Sequence, residues 1–518
     1  MRRVRGGLRL AIGMALCLVC AGCGGSGSSN SSSQQVSSPP QSQQLPTTDT
    51  QSLTADEVKT IISTAAASAN DPFVLAVTDR SGRPLAVFRK TGAPVTAVGN
   101  FSVTVDANEL AVALARTAAF FSNDQAPLSS RTVRYLSGIH FPPGITNTAN
   151  APLYGIENTN RGCTLADNFA PGQDLPPPKA LSGATGLGMI TGKVDVDDSN
   201  QTAVNPGGVP IYKNGEVAGG IGVVGSTPEV SEFAGVSASV PSLPSFPAPG
   251  AVIINGITVP FVLQTTIPAG FSPDPNFTGS YVLGPVASPA PVPEGYLITP
   301  QAGPVGGLTA AEVSSIVTNA INTAKVTRAV IRLPIGQRTK MVISVADLDG
   351  TLLALYRMPD ATVFSVDVSV AKSRNMTYFN TAQVNPADLP GVPAGTAVTN
   401  RTIGFGAQPL YPPGIDGSPN GPFFQLFVND VNNPCSQGSQ PSGPKQSGIV
   451  FFPGSVGLYR NGVLVGGLGV SGDGVDQDDY VTAGGSVGFE APDAIRADQI
   501  IDSGVRLPYL KFPRNPTD

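Results

Sequence analysis

Apolar residues recur every three to four positions near the beginning of the chain and again past its middle. In the first stretch, Val58, Ile61, Ile62 and Ala65 fall on one face of a helix. The same spacing returns at 313–320. The stretches open with LTADEV and LTAAEV, in which a threonine precedes a glutamate by three residues, the arrangement of a helix-capping box. The pattern predicts two similar amphipathic helices, each with a defined start.

Apolar runs separated by turn residues predict β-hairpins in both regions. One hairpin in each region turns at DRSG (79–82) or DLDG (347–350), and a helical stretch follows it. Farther along, Asn-Gly dipeptides at 214–215 and 461–462 lie between apolar runs, and this dipeptide favours the two-residue type I′ turn. Helix, hairpin, helix, long loop and hairpin follow one another in each region. This order predicts an α+β fold, a small antiparallel sheet flanked by helices.

The same segments occur twice in the same order. RTVRYLSGIHFPPGI at 131–145 returns as RTIGFGAQPLYPPGI at 401–415, and PGGVPIYKNGEVAGGIGVVG at 206–225 returns as PGSVGLYRNGVLVGGLGVSG at 453–472. Matched segments in one order indicate a tandem duplication, and we expect the copies to be related by a pseudo-two-fold axis. The predicted organisation is a leader at 1–23, a flexible Gly/Ser/Gln-rich tether at 24–52, a first domain at 53–265, a Pro- and Gly-rich linker at 266–307 and a second domain at 308–518.

The last matched segment contains the spacing G-x-G-x-x-G, at Gly220, Gly222 and Gly225 and again at 467–472. A dinucleotide-binding loop has this spacing, but it also needs a following helix and an acidic residue about 20 positions later. In the first copy the glycines lead into a proline-rich stretch without such an acid. We therefore interpret them as part of a strand, where they allow close approach of either a packed helix or a ligand.

Charge and the N-terminal residues indicate a cellular location. The net charge is −5 and only 13% of residues are charged, so there is no basic excess for binding nucleic acid. A basic start, a short apolar run and small residues before Cys23 are typical of a secretory signal. Ala21-Gly22-Cys23 resembles a bacterial lipobox, in which the cysteine is lipidated; cleavage without lipidation is the alternative. The chain is predicted to be secreted across the inner membrane and anchored in the cell envelope through Cys23, in the periplasm or at the cell surface.

Few residues suited to metal binding or catalysis remain beyond the leader. Cys163 and Cys435 fall at equivalent places of the two copies, and in an oxidising compartment they either form a disulfide or stay as separate thiols. His140 is the single histidine, which excludes a multi-histidine zinc site. The acids at 473–479 are expected to cap a following helix, and those at 195–198 only faintly resemble a calcium loop. Without a G-x-S-x-G elbow or a metal-ligand set, the sequence favours a function other than catalysis.

Taken together, the capping-box helix, the V-x-D-x-x-G hairpin, the helix ARTAAFF and the hairpin GGVPIY-x-NG-x-V-x-G-x-IGV-x-G resemble the GlcG/HbpS-like domain, which also occurs at the C-terminal end of PduO-type proteins. The resemblance covers 53–265 and 308–512, although the loops at 151–205 and 416–452 are longer than is usual in that family. It implies a small antiparallel sheet flanked by helices, often assembled into oligomers. Several members bind haem, so the resemblance also implies a haem or other tetrapyrrole ligand.

A haem iron needs an axial ligand, and His140 carries the one imidazole of the chain. It lies close in sequence to Arg131, Arg134 and Tyr135, which are suited to pairing propionates or stacking on a macrocycle. The second copy has Leu410 at the position matched to the histidine, so a histidine-ligated site is expected in the first copy alone. A solvent-facing or hydrogen-bonded loop histidine is the alternative.

These observations predict an extracytoplasmic, membrane-tethered binding protein with haem or another tetrapyrrole as its ligand, and a homo-oligomer as its assembly. One alternative is a structural or protein-interaction lipoprotein whose duplicated domain forms an internal dimer without binding a ligand. A weaker alternative is an enzyme that acts on a small organic acid.

Overall fold

A computed structural model of the chain describes residue 48 and residues 51–165, 179–244 and 249–517. We call residues 51–265 the first half, 266–307 the connecting segment and 308–517 the second half. The predicted leader, Cys23 and most of the predicted tether lie outside the described residues. No helix in the described part of the chain is long and apolar enough to span a bilayer.

The first half begins with the helix that its sequence pattern predicts. Thr54 caps this helix, and the side chain of Glu57 bonds back to the threonine, so the predicted capping box is present. The helices of the first half are α1 (Ala55–Ala67), α2 (Ala107–Phe121), α3 (Ser130–Tyr135) and α4 (Pro228–Ser239). Its strands are β1 (Val74–Asp79), β2 (Pro84–Lys90), β3 (Thr96–Val98), β4 (Thr104–Asp106), β5 (Gly208–Lys213), β6 (Glu216–Val224), β7 (Ile253–Ile254) and β8 (Ile257–Thr258).

The connecting segment contains two strands, β9 (Gly279–Leu283) and β10 (Gly295–Ile298). The second half starts with a helix capped by Thr309 and Glu312 in the same way as α1. Its helices are α5 (Ala310–Val326), α6 (Phe364–Phe379), α7 (Asn400–Gly406), α8 (Phe424–Asn432) and α9 (Val475–Gly485). Its strands are β11 (Val342–Ala346), β12 (Leu352–Arg357), β13 (Ser455–Arg460), β14 (Val463–Ser471), β15 (Ile501–Asp502) and β16 (Val505–Arg506).

Each half contains a five-stranded antiparallel sheet, and the two sheets have the same order of strands. The first has the order β5-β6-β1-β2-β9, and the second has the order β13-β14-β11-β12-β10. At the turns of the β5–β6 and β13–β14 hairpins, Asn214 and Asn461 have positive φ angles, as a type I′ turn requires. The connecting segment supplies the last strand of each sheet. The α+β prediction, with small antiparallel sheets flanked by helices, is confirmed.

Helices cover both faces of each sheet. Leu75 and Val77 on β1 belong to a core cluster with α1 and α4, whereas Val74 and Ala76 belong to another cluster with α2. Successive side chains of a strand point to opposite faces, so α1 and α4 lie on one face and α2 on the other. The second half repeats this arrangement, since α5 packs against α9 while α6 packs along β14 and β11.

The first two glycines of each G-x-G-x-x-G spacing make room for a helix. A Cβ atom at Gly220 or Gly222 would lie 2.2 or 2.0 Å from a carbonyl oxygen of α2. At Gly467 and Gly469 the corresponding distance, to a carbonyl oxygen of α6, is 2.2 Å. Only glycine permits this approach, because any side chain would overlap the helix backbone. The structure thus favours the packed helix over a ligand as the reason for these glycines.

One hydrophobic core joins the two halves. It contains residues of α2, of the loop that follows it, and of nearly every element of the second half. Where the halves meet, the rings of Phe121 and Phe364 stack with centroids 4.7 Å apart, and those of Tyr154 and Phe427 stack at 4.8 Å. Cys163 and Cys435 form a disulfide across the same boundary, with their Cα atoms 5.4 Å apart.

Candidate functional site

Three of the four residues proposed from sequence as ligand contacts lie on the short helix α3. Ser129 caps this helix, and its partner in the capping box is Thr132. The Thr132 hydroxyl also donates to the carbonyl oxygen of Pro260 at 2.7 Å, which holds the segment after β8 against the helix. Arg131 and Tyr135 are four residues apart on α3 and therefore share one face.

Arg131 forms a two-pronged ion pair with Glu232 of α4. Its Nε and Nη2 atoms donate to the two carboxylate oxygens at 2.7 and 3.0 Å. The glutamate side chain is fully buried, and the backbone N–H of Gln264 donates to it at 3.1 Å. The ion pair therefore fastens α3, α4 and the segment after β8 together.

Beside this ion pair lies an apolar groove with a volume of about 690 Å³. Tyr135 lines it from α3, and Val236 and Val240 line it from the last turns of α4. Val236 is four residues beyond Glu232, so the groove begins one helical turn from the ion pair. The remaining lining is mostly apolar and comes from residues 243, 249–250, 258–263 and 265. Such a concave apolar surface with few polar groups is typical of a small-molecule site.

Arg134 is engaged away from this groove. Its guanidinium is buried and pairs with the carboxylate of Asp198, and its Nε donates to the carbonyl oxygen of Ala203 at 2.7 Å. The predicted contact between this arginine and a propionate would require that ion pair to open. Arg134 as a ligand-binding residue stays a prediction.

His140 connects loops of the two halves. Its Nε2 lies 2.7 Å from Oδ1 of Asp416, and its Nδ1 lies 2.7 Å from the amide nitrogen of Gln201. The hydrogen bond with His140 lowers the pKa of Asp416. The structure therefore gives both ring nitrogens protein partners, as the alternative of a hydrogen-bonded loop histidine expects. His140 as a haem-iron ligand stays a prediction, and it requires one of these bonds to break.

The second half keeps the ion pair and changes the rest of the site. Arg401 on α7 donates to Asp479 at 2.5 Å and to Asp476 at 2.6 Å. Phe405 stands where the first half has Tyr135, and it contacts Tyr411 edge-on as Tyr135 contacts Phe141. The ring that lines the groove in the first half carries a hydroxyl, whereas in the second half the hydroxyl is on the other ring of the pair, Tyr411.

A buried cluster of charged side chains in the second half was not predicted from the sequence. Lys372 on α6 pairs with Asp478, and Arg332 pairs with Asp473 and Asp360. The acids of this segment were expected to cap α9. Gly474 occupies the N-cap position, but Asp476 and Asp478 lie in the first turn of the helix, near its N-terminus as expected. Asp473, Asp478 and Asp479 are in addition buried against cations. The lysine within the apolar run VSVAK and the acids at 473–479 were the signals in the sequence, but nothing in it connected them. Among the described residues, no group of three or more His, Cys, Asp or Glu side chains is arranged to hold a metal ion.

Part of the second half matches a known protein family. Residues 308–485 match a family described as "Haem degrading protein HbpS-like". The second half contains one HbpS-like domain. The matched range runs from the residue before the Thr309 cap to the end of α9, and so includes the second sheet except β10. The resemblance inferred from sequence is confirmed for this range and stays a prediction for the first half.

Two curated relatives are similar to part of the chain. Corrinoid adenosyltransferase PduO of Salmonella typhimurium is 26% identical over 154 residues, and that of Citrobacter freundii is 27% identical over 154 residues. These residues cover 30% of this chain and 33% of each relative. The chain thus spans about a third of the length of the curated relatives it matches.

Two solved structures also resemble part of the chain. They are a PduOC–haem complex and the Klebsiella pneumoniae protein ORFY. Each is 20% identical, with a TM-score of 0.23 and coverage of 35% of this chain. The match covers 94% of the first structure and 90% of the second.

Proposed function

We propose that this protein is an extracytoplasmic, membrane-tethered binding protein for haem or another tetrapyrrole. The observation that carries the proposal is the match of residues 308–485 to a family described as haem degrading. The curated relatives are named for a corrinoid, which is a macrocycle of the same chemical class. The basic, apolar and small residues up to Cys23 support export and a lipid anchor.

The groove beside Tyr135 is the place we propose for the macrocycle. Its apolar walls suit the faces of a porphyrin ring, and the Tyr135 hydroxyl suits a haem iron, since tyrosinate is one of the known axial ligands. The groove lies in the first half, outside the matched range, and the second half has Phe405 in place of the tyrosine. We therefore expect one site per chain. When bound, haem would supply its iron as a Lewis acid and a redox centre.

Absorbance titration of haem into the purified full-length protein tests this proposal. We expect a Soret band that saturates at one haem per chain. Tyr135→Phe copies the second-half residue and is expected to shift or remove the band. Val240→Glu places a charge on an exposed position of the groove and is expected to weaken binding. His140→Leu also copies the second half and is expected to leave the band unchanged.

The possible results separate the candidates. A band that is lost in His140→Leu and kept in Tyr135→Phe would move the iron to the histidine and contradict the groove as the site. No spectral change with either haem or cobalamin would contradict tetrapyrrole binding altogether. That result would favour the structural alternative, an internal dimer of the two halves, which the shared core and the disulfide also support.

A further inference from the structure

A lysine and an aspartate face each other in the interior of the second half. Lys372 lies in the middle of α6, and Asp478 lies in the first turn of α9. The lysine Nζ is 3.0 Å from Oδ2 of the aspartate, and the two side chains are 0% and 4% exposed. Nζ also donates to the carbonyl oxygen of Val470 at 2.8 Å and lies 5.0 Å from the ring centroid of Phe452. An amine and a carboxyl group are thus held together in a site without solvent.

Burial changes the protonation of both groups. It raises the pKa of Asp478 to about 7 and lowers the pKa of Lys372. Both shifts favour the uncharged pair, an amine beside an un-ionised carboxyl group, because a low dielectric disfavours separate charges. In the described part of the chain, Oδ1 of Asp478 is buried without a hydrogen-bond partner. Only one of the two oxygens of this carboxyl group therefore accepts a hydrogen bond.

The packing of the helices does not require this pair. In the first half, Gly222 lies against the carbonyl oxygen of Ala111, and in the second half Gly469 lies against that of Ser369. This correspondence places Leu114 opposite Lys372 in the alignment of α2 with α6. Ser231 of α4 likewise corresponds to Asp478 of α9. The first half packs the corresponding helices against its sheet with a leucine and a serine at these two positions.

We propose that Lys372 and Asp478 form an intramolecular isopeptide bond that links α6 to α9. The lone pair of the neutral Nζ attacks Cγ of the un-ionised carboxyl group, so that an N–C bond forms and the C–OH bond breaks. One hydrogen of the amine leaves with the hydroxyl group as water, and the product is an amide. Atoms and electrons balance without an oxidant, a reductant or a further reactant. The amide ties together the second half, as the Cys163–Cys435 disulfide ties the two halves.

Mass spectrometry of the unfolded, unreduced full-length protein tests the proposal. We expect a mass lower than that of the linear chain by one water, about 18 Da, in addition to the loss from the disulfide. A tryptic digest is expected to yield a branched peptide that contains residues 372 and 478, with no cleavage after Lys372. The variant Lys372→Leu is expected to have the mass of the uncrosslinked chain.

Two controls keep the test decisive. The double variant Lys372→Leu, Asp478→Ser installs the pair that the first half uses, so it is expected to fold without a crosslink. Lys193 and Glu157 are a second buried pair, over the ring of Tyr154, but their N–O distance is 3.7 Å, and we expect them to stay separate. An unshifted mass together with cleavage after Lys372 would overturn the proposal and leave an ordinary buried ion pair.

Discussion

The helices α2 and α6 occupy matching places in the two halves and have different chemistry. Both approach a glycine-rich strand so closely that a Cβ atom would overlap the helix backbone. The buried surface of α2 is almost entirely apolar, whereas α6 buries all of its residues, including Asp367, Lys372 and Arg374. The same backbone arrangement thus accommodates ionisable side chains in the interior, provided that each has a nearby polar partner.

In contrast to the helices α2 and α6, the ion pair between α3 and α4 has an equivalent in the other half. Arg131 pairs with Glu232, and Arg401 pairs with Asp479 in the corresponding place. Each acceptor is buried, and each also accepts a backbone N–H from the segment that follows the short hairpin β7–β8 or β15–β16, at Gln264 or Lys511. The two halves therefore share the ion pair that holds the short helix in place, and they differ in the side chains packed around it.

Breaking the shared ion pair is expected to give the largest effect. Removing one partner of a buried pair costs about 3–5 kcal/mol, because a charge is left without compensation in the interior. Arg401→Met leaves Asp479 buried without its cation, although Asp476 keeps the Nζ of Lys511 at 2.9 Å, and burial already raises the pKa of Asp479. We therefore expect a larger loss in the free energy of unfolding for Arg401→Met than for Arg131→Met, as measured by urea denaturation.

Equal losses of less than about 1 kcal/mol in both variants would contradict this comparison, since that is the range of exposed ion pairs. The variants Arg401→Lys and Arg131→Lys are suitable controls. They keep a charge but lose the two-pronged geometry, so each is expected to fall between the wild type and its methionine variant.

A second difference between the halves is expected to appear as a pH dependence. Asp367 of α6 is buried and accepts the N–H of Asn160 at 2.7 Å, and burial raises its pKa from 3.8 to about 6. Because the folded state holds this proton more tightly, the contribution to stability is complete below pH 4 and is lost as the pH rises to about 6. The loss is at most about 1.4 kcal/mol per pH unit.

Asp367→Asn removes the titrating group and keeps an oxygen that accepts the same N–H. We expect the variant to lack this decline, so that its free energy of unfolding rises relative to the wild type between pH 4 and 6. Glu109, at the matched position of α2, is only partly buried, and Glu109→Gln serves as the control. A wild-type slope in Asp367→Asn would show that the buried carboxyl group does not titrate in this range.

Local signals in the sequence were enough to predict much of the fold. The capping box of Thr54 and the Asn-Gly turn at 214–215 depend only on neighbouring residues, and both are present. The strands β9 and β10 were missed, because the connecting segment has the proline and glycine content of a linker, and its strands form only by adding to an existing sheet edge.

The site was less predictable, because its contacts join distant parts of the chain. Arg131 and Tyr135 were proposed as ligand contacts because they lie close in sequence to His140, but the helix α3 that carries them was not predicted, and Glu232 is 101 residues from the arginine. Asp416, the partner of His140, is 276 residues away and belongs to the other half. No periodicity or motif connects such residues. The pairing of charges in the interior depends on which helix faces which strand, and that becomes known only from the fold.

The smallest predicted effect concerns the one histidine, for which the second half has leucine. His140→Leu removes the hydrogen bonds to Asp416 and Gln201, and a typical bond of this kind contributes about 1 kcal/mol net. Asp416 is partly exposed, so water can replace the imidazole, and we expect a loss of about 1 kcal/mol in urea unfolding at neutral pH.

Thr148→Ala, on the same loop, controls for a general effect of loop substitution. A loss above about 3 kcal/mol would mean that the imidazole supports more than the contact between the two loops. A small loss, combined with an unchanged haem spectrum, would identify His140 as a link between the halves and leave the groove beside Tyr135 as the place where they differ in binding.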